Sequence, residues 1–235
     1  YFQEMDRYRY GEYAWWLPRM MGFKDAKDKQ VLEIGTGQGA DLAMFARNGA
    51  HCSGVDITRE HLELTRTRFQ QEKLDVNLMY GDAESLPIRS RSIDIVYSYG
   101  VLHHTPETET ALREVHRVLK PGGEARIMLY AMYSEFNLYI LLQGLVRLQF
   151  FRYGFDATIS HWCEGTDWNN PVPVGRYSKG KAEKLFKNAG FESVSITKCL
   201  LTRGNIPVLG KFLSVATLEM LARFIGWNLI IKARR

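Results

Sequence analysis

Val31 to Asp41 read VLEIGTGQGAD, a short apolar run that ends against three alternate glycines. VLEI has the length and residue types of a buried parallel strand, and ADLAMFARNG after it has the apolar spacing of a helix. Gly35, Gly37 and Gly39 therefore sit in a strand-to-helix turn, where missing Cβ atoms let a ligand approach the backbone. A dinucleotide-binding turn reads G-x-G-x-x-G, with pyrophosphate on the helix N-terminus. The spacing here is G-x-G-x-G, and Glu33 stands at the strand end. A carboxylate there repels pyrophosphate and suits a ligand that carries positive charge.

Further landmarks follow in register. HCSGVD reads as a second strand closed by Asp56, about twenty residues past the glycines, where an acid can accept hydrogen bonds from ribose hydroxyls. NLMYGDAESLP gives a third strand ending in Gly81 and Asp82. SIDIVYSYGVLHH gives a fourth strand with its loop, and LKPGGEARIMLYA gives a turn at Pro121-Gly122-Gly123 and a fifth strand. Helices ADLAMFARN, TREHLELTRTRFQQ and TETALREVHRVL alternate with them, the pattern of a doubly wound parallel sheet.

From Val31 to about Ala131 this series resembles the class I S-adenosylmethionine-dependent methyltransferases, specifically the type 11 group related to quinone and sterol methylases. The resemblance implies an α/β, Rossmann-like sheet of seven strands with the last antiparallel, plus a helical and loop cap. It also implies S-adenosyl-L-methionine as cofactor and S-adenosyl-L-homocysteine as product. That cofactor carries an ammonium, a sulfonium and no phosphate, which fits Glu33. The cofactor contacts so implied are Tyr10, Glu33, Gly35, Thr36, Gly37, Gly39, Asp56, Ile57, Asp82, Ala83, Glu84 and Ser98, with Asp82 placed to accept from the adenine amino group.

The 235 residues are enough for one such domain with embellishments. We divide them into an aromatic cap segment over 4–30, the cofactor core over 31–131, a lid insertion over 132–176 and a helix-strand part over 177–235. The net charge of +5 is scattered apart from the terminal KARR, so no nucleic-acid partner is expected. Cys52, Cys163 and Cys199 show neither metal-ligand spacing nor an even count, which favours a reducing, cytoplasmic compartment. Tyr1-Phe2-Gln3 resembles the tail of a cleavable linker and is set aside.

Asp6 to Phe23 is crowded with aromatics and reads as a short helix over the cofactor pocket. In the insertion, FNLYILLQGLVRLQFF reads as an apolar helix and ISHWCEGTDWNNPVPVG as a polar, aromatic loop. Near the end, FESVSITKCL and WNLIIKA read as strands around the amphipathic helix KFLSVATLEMLARF.

The loop SYGVLHHTP faces the transferred methyl in the family. Its His103 and His104 suit a base for a phenol, thiol or amine, or else pack beneath the loop. No metal site is expected, because adjacent residues point apart and no third ligand is evident. Tyr13, His161, Trp162 and Tyr177 are the candidate acceptor contacts. No Asn/Asp-Pro-Pro-Tyr/Phe follows the fourth strand, which argues against methylation of nucleobase or glutamine amino nitrogens. The expected acceptor is a small, aromatic or partly apolar molecule, with O, N, S and C all open. A methyltransferase fold running other chemistry, a non-catalytic cofactor-binding subunit and a membrane-surface lipid methylase are the rival readings. Oligomeric state is open.

Overall fold

The computed structural model describes residues 1–206 and 212–235. Apolar runs at the expected positions form β1 (Gln30–Ile34), β2 (His51–Asp56), β3 (Asn77–Tyr80), β4 (Ile93–Tyr99) and β5 (Leu119–Ala131). They lie parallel in the order β3-β2-β1-β4-β5. A two-residue strand, β6 (Arg176–Tyr177), adds to the end of β5. The sheet finishes with β7 (Ser193–Cys199) and β8 (Asn228–Arg234), β8 lying antiparallel between β5 and β7. The sheet is therefore the expected Rossmann-like one with a final antiparallel strand, and β6 is an eighth strand that the sequence did not announce.

The helices in chain order are α1 (Phe2–Arg7), α2 (Leu17–Met21), α3 (Ala40–Arg47), α4 (Arg59–Glu72), α5 (Thr108–Val118), α6 (Glu135–Val146), α7 (Gln149–Tyr153), α8 (Phe155–Glu164), α9 (Lys179–Asn188) and α10 (Val215–Ile225). Side chains alternate across the sheet, so each strand feeds two cores. Leu32, Val96, Ile127 and Ile231 pack with Leu112 of α5 and Phe186 of α9. Val31, Ile95, Met128 and Ile230 pack on the other face with Phe45 of α3, Phe69 of α4 and the N-terminal Leu17 and Phe23.

Pro121-Gly122-Gly123 makes its turn inside β5. Ile93 pairs with Leu119 and Ile95 with Glu124, so two steps on β4 answer five on β5 and three residues bulge outward. The N-terminal expectation also needs correction. Phe2 is buried beneath the guanidinium of Arg68, 4.6 Å from its ring centre, and Arg68 is itself held by Asp6 at 2.8 Å. These first residues are packed against the domain.

The insertion holds more helix than its composition announced. The apolar helix breaks at Leu148, which takes a left-handed conformation between α6 and α7. ISHWCE, expected in a loop, forms the second half of α8. Gly154 and Gly165 bracket that helix with positive φ, and Thr158 Oγ donates to the Gly154 carbonyl at 2.7 Å. Of the expected helix KFLSVATLEMLARF, the part from Val215 on is α10, capped by Ser214, and Lys211 lies outside the described residues.

Candidate active site

Strand order reverses between β1 and β4, and the crevice at their C-terminal ends is where such sheets bind ligands. A cavity of about 370 Å³ occupies it, lined by Glu33, Gly35, Thr36, Gly37, Gln38, Ala40 and Asp41 from β1 to α3, and by Tyr99 of β4. Met5, Tyr8, Arg9 and Tyr13 of the N-terminal segment close it from above. Gly35 has φ +77°, and a Cβ there would stand 2.2 Å from Val101 Cγ2. Gly37 has φ +52° with nothing within 4 Å of a built Cβ, so its missing side chain leaves the open space a ligand would fill.

Glu33 is buried and its Oε2 has no hydrogen-bond partner; the buried Thr36 hydroxyl has none either. Burial pushes the Glu33 carboxyl well up, the Asp41 charge adds to the shift, and Arg9 opposes it. A cation beside Glu33 would relieve that cost. Asp56 is held on both oxygens, by the Gly37 amide at 3.1 Å and the Thr58 amide at 2.9 Å, so its orientation is set before any ligand arrives.

The other expected cofactor contacts spread around this crevice. Tyr10 does not line the cavity itself; its hydroxyl donates at 2.7 Å to Asp41, which does. Gly39 caps α3 against Thr65. Ile57 is exposed beside Asp56. Asp82 Oδ1 accepts from the Glu84 amide, Glu84 Oε1 accepts from the Glu107 amide, and Ala83 is buried. Ser98 is buried with its hydroxyl donating to the Ile34 carbonyl, which ties β4 to β1.

A second cavity, about 220 Å³, opens at the ends of β5, β7 and β8. Tyr13 borders both cavities. Aromatic walls come from Tyr130, Phe136 and Trp227, with Cys163, Thr202, Asn205 and Glu135 supplying the polar groups. Burial pushes the Glu135 carboxyl up to about 7, and its Oε2 is water-shielded and unpaired. Burial raises the Cys163 thiol to about 12, which leaves it protonated and a poor nucleophile at neutral pH.

Neither histidine of the fourth-strand loop borders these two cavities. His103 is buried with both ring nitrogens unpartnered, and burial, then His104, push its pKa well below the usual 6.5. Its ring stacks on Tyr130 at 3.9 Å, and Trp227 stacks on Tyr130 at 4.3 Å. The two histidines do not diverge as adjacency implied: their ring centres are 4.2 Å apart. Glu164 of α8 joins them, with ligand atoms of all three within 4.8 Å of one another, a grouping able to hold a metal ion. That third group is invisible in sequence because it comes from α8. His104 Nδ1 meets the Pro173 carbonyl at 2.7 Å, and its Nε2 lies 3.6 Å from Glu164.

The remaining expected acceptor contacts separate. Tyr13 is at the junction of the cavities. His161 stacks on Trp168 at 3.8 Å, and Trp162 donates to Gln149 Oε1 at 2.9 Å, both within the cap. Tyr177 borders a separate cavity of about 500 Å³ with His103 and donates to Thr108 Oγ1 at 3.0 Å. Sequence reasoning missed Arg9, Asp41, Tyr130 and Glu135.

With this geometry in view, the fold is that of the class I methyltransferases. Residues 32–127 match the methyltransferase domain family of type 11, and the chain carries a class I S-adenosylmethionine-dependent methyltransferase domain of that group. The uncharacterized methyltransferase YcgJ of Bacillus subtilis is 33% identical over 137 residues, covering 57% of this chain and 54% of that one. A ubiquinone biosynthesis O-methyltransferase of Coxiella burnetii is 29% identical over 98 residues, 42% of each chain. This chain thus spans about half or less of the curated relatives it matches. Among solved structures, an S-adenosylmethionine-dependent methyltransferase from Mesorhizobium loti aligns with a TM-score of 0.65 at 17% identity, over 96% of this chain and 99% of that one.

Proposed function

We propose that this protein transfers the methyl group of S-adenosylmethionine to a small aromatic or partly apolar acceptor, with residues 4–30 and 132–176 acting as the cap of one methyltransferase domain. The carrying observation is the pair of cavities that share Tyr13: one built for a cation beside a glycine turn, the other walled by aromatic rings. The relative named for ubiquinone biosynthesis is consistent with an aromatic acceptor.

In the first cavity, Glu33 would offer its unpaired oxygen to the cofactor's ammonium side, and Asp56 would accept from ribose hydroxyls. Gly37 leaves room for close approach. The cofactor supplies an activated methyl. Held by Glu33, Gly37 and Asp56, it would offer that methyl to an acceptor lone pair aligned behind it and keep the carbon–sulfur electron pair on its own sulfur. The protein contributes alignment, exclusion of water and removal of the acceptor's proton.

Glu135 is the group we assign to that proton, because it borders the acceptor cavity and burial raises its carboxyl to about 7. A histidine base, the sequence expectation, retains one route. Glu164 lies close enough to the Tyr130 hydroxyl to raise its pKa and 3.6 Å from His104 Nε2, so a proton leaving the acceptor has a path by way of these groups. Release of S-adenosylhomocysteine from a panel of phenols, amines, thiols and fatty-acid-like compounds tests the activity. Cofactor binding without turnover on any acceptor would favour the non-catalytic subunit instead.

A further inference from the structure

A helix apolar on every side is normally enclosed, and α6 is not. Only Asn137, Ile140 and Gly144 of this helix are buried. Leu138, Leu141, Leu142 and Leu145, at the spacing of one helical face, are all exposed, Leu138 by 59%. The surface continues through Val146 and Leu148 to Phe151, which is 80% exposed, and Phe155. Scattered apolar residues on a surface need no explanation; a contiguous stripe this long marks an interaction site.

The stripe extends past the insertion. Lys198 Nζ donates to the carbonyls of both Tyr133 and Phe224, each at 2.6 Å, which joins the start of α6 to the end of α10. Tyr133, Phe224 and Met220 are exposed there. The first turn of α6 also borders the second cavity, through Glu135 and Phe136. The apolar face therefore surrounds the acceptor side of the molecule.

Arginine dominates the charge of its middle stretch, with Glu135 at the start of α6 and exposed Asp156 after Phe155 at its ends. Residues 136–155 hold no acid and two arginines, Arg147 and Arg152. Arg147 lies over the Trp162 ring at 5.5 Å and Arg152 over Tyr153 at 5.1 Å, so both sit at the rim with an aromatic partner. Leucine and phenylalanine at the centre, with arginine, tyrosine and tryptophan at the edge, is the chemistry of a helix lying in a membrane interface. A second copy of this chain fits less well. A twofold contact on the stripe would bring two arginine-bearing rims together, with acid only at the ends of the stripe, at Glu135 and Asp156.

We propose that α6, α7 and the end of α10 dock on the headgroup–acyl boundary of an anionic lipid bilayer. The helices rest on the surface without crossing it; among the described residues no helix is long and apolar enough to span a membrane. The inference rests on the exposed face and holds whatever the acceptor is.

Flotation with vesicles tests it directly. The protein should float with vesicles of phosphatidylcholine mixed with phosphatidylglycerol, less with phosphatidylcholine alone, and less again at high salt. The double variant Leu142→Glu/Leu145→Glu should float at least about tenfold less. Both side chains are exposed, so its melting temperature and S-adenosylhomocysteine affinity should match the parent and show that it is folded. Three outcomes overturn the proposal: no flotation with anionic vesicles, flotation unchanged in the double variant, or a dimer by light scattering that the same variant disperses.

Discussion

Arg9 closes on Asp41 through two hydrogen bonds, from Nε at 2.8 Å and from Nη2, and the same carboxylate accepts the Tyr10 and Tyr97 hydroxyls at 2.7 Å each. All four bonds reach a side chain that is 4% exposed. They pin the N-terminal segment to the first turn of α3, and that segment forms the roof of the cofactor cavity.

Burial alone would raise the Asp41 carboxyl, but Arg9 and the hydroxyl donors hold it below its usual value. A depressed carboxylate contributes stability that is present above its unfolded pKa and lost as pH falls through the folded one. Asp41→Asn should remove the charge from the pair, strand Arg9 and cost about 3–5 kcal/mol. Melting curves should show the gap between parent and variant narrowing below pH 4, the carboxylate's ordinary range. An unchanged melting temperature at pH 7 would mean that Arg9 and Asp41 do not hold the roof. Point substitution is the right probe, because truncating the segment would strip Leu17, Met21 and Phe23 from the core.

Glu33 carries the opposite sign. Its folded pKa is raised, so the empty protein loses stability as pH rises from the ordinary glutamate value through that raised pKa. Glu33→Gln should therefore melt higher than the parent at pH 8. It should also bind S-adenosylmethionine more weakly, by about 1.5–3 kcal/mol for a lost charged hydrogen bond. A cationic ligand favours the ionised carboxyl, so the parent's affinity should climb with pH through the same window and the variant's should not. Calorimetry at several pH values checks all three.

Most of the sheet and the glycine turn of the candidate crevice were legible because they depend on local signals: apolar strands, glycines at a turn, acids at strand ends. The partners of those acids were not. Asp41 directly follows the glycine turn, but nothing in the sequence reveals that Arg9 reaches it across more than thirty residues or that Tyr97 lies beneath. The α8 helix was hidden because its buried residues, Ala157, Thr158, Ile159 and Ser160, are consecutive and mostly small or polar, so they print no apolar stripe. Glu135 was passed over as the first residue of an apolar helix, although Ser134 before it is an ordinary N-cap signal. His103 and His104 were read as diverging neighbours, and a short 3₁₀ turn brings their rings together against Tyr130.

Asp56 offers a cleaner test of the cofactor assignment. One lone pair of each oxygen is given to the Gly37 and Thr58 amides, and His61 Nδ1 stands 3.4 Å from Oδ1, which leaves Oδ2 the more open oxygen for ribose. Asp56→Ala should lower S-adenosylhomocysteine affinity by roughly 1.5–3 kcal/mol per lost bond. NAD should bind neither protein. Equal affinities for parent and variant would remove Asp56 from the site.

The two routes for the acceptor's proton separate by pH. A base works in its deprotonated form, so with Glu135 in that role the rate should rise with pH through about 7. Glu135→Gln should lose that limb and fall by about 10²–10⁴-fold. Because burial raises this carboxyl, the glutamine variant should be at least as stable as the parent at pH 8, so a lost rate could not be blamed on unfolding. His104→Ala should leave both the limb and the rate in place, since His104 does not border the cavity. A phenol or alcohol is the acceptor to use, because a thiol is already partly ionised at mildly alkaline pH and needs little help. If His104→Ala abolishes the limb while Glu135→Gln keeps it, the proton leaves by way of Tyr130 and Glu164. If neither variant moves the profile, alignment against the sulfonium methyl is what the site contributes.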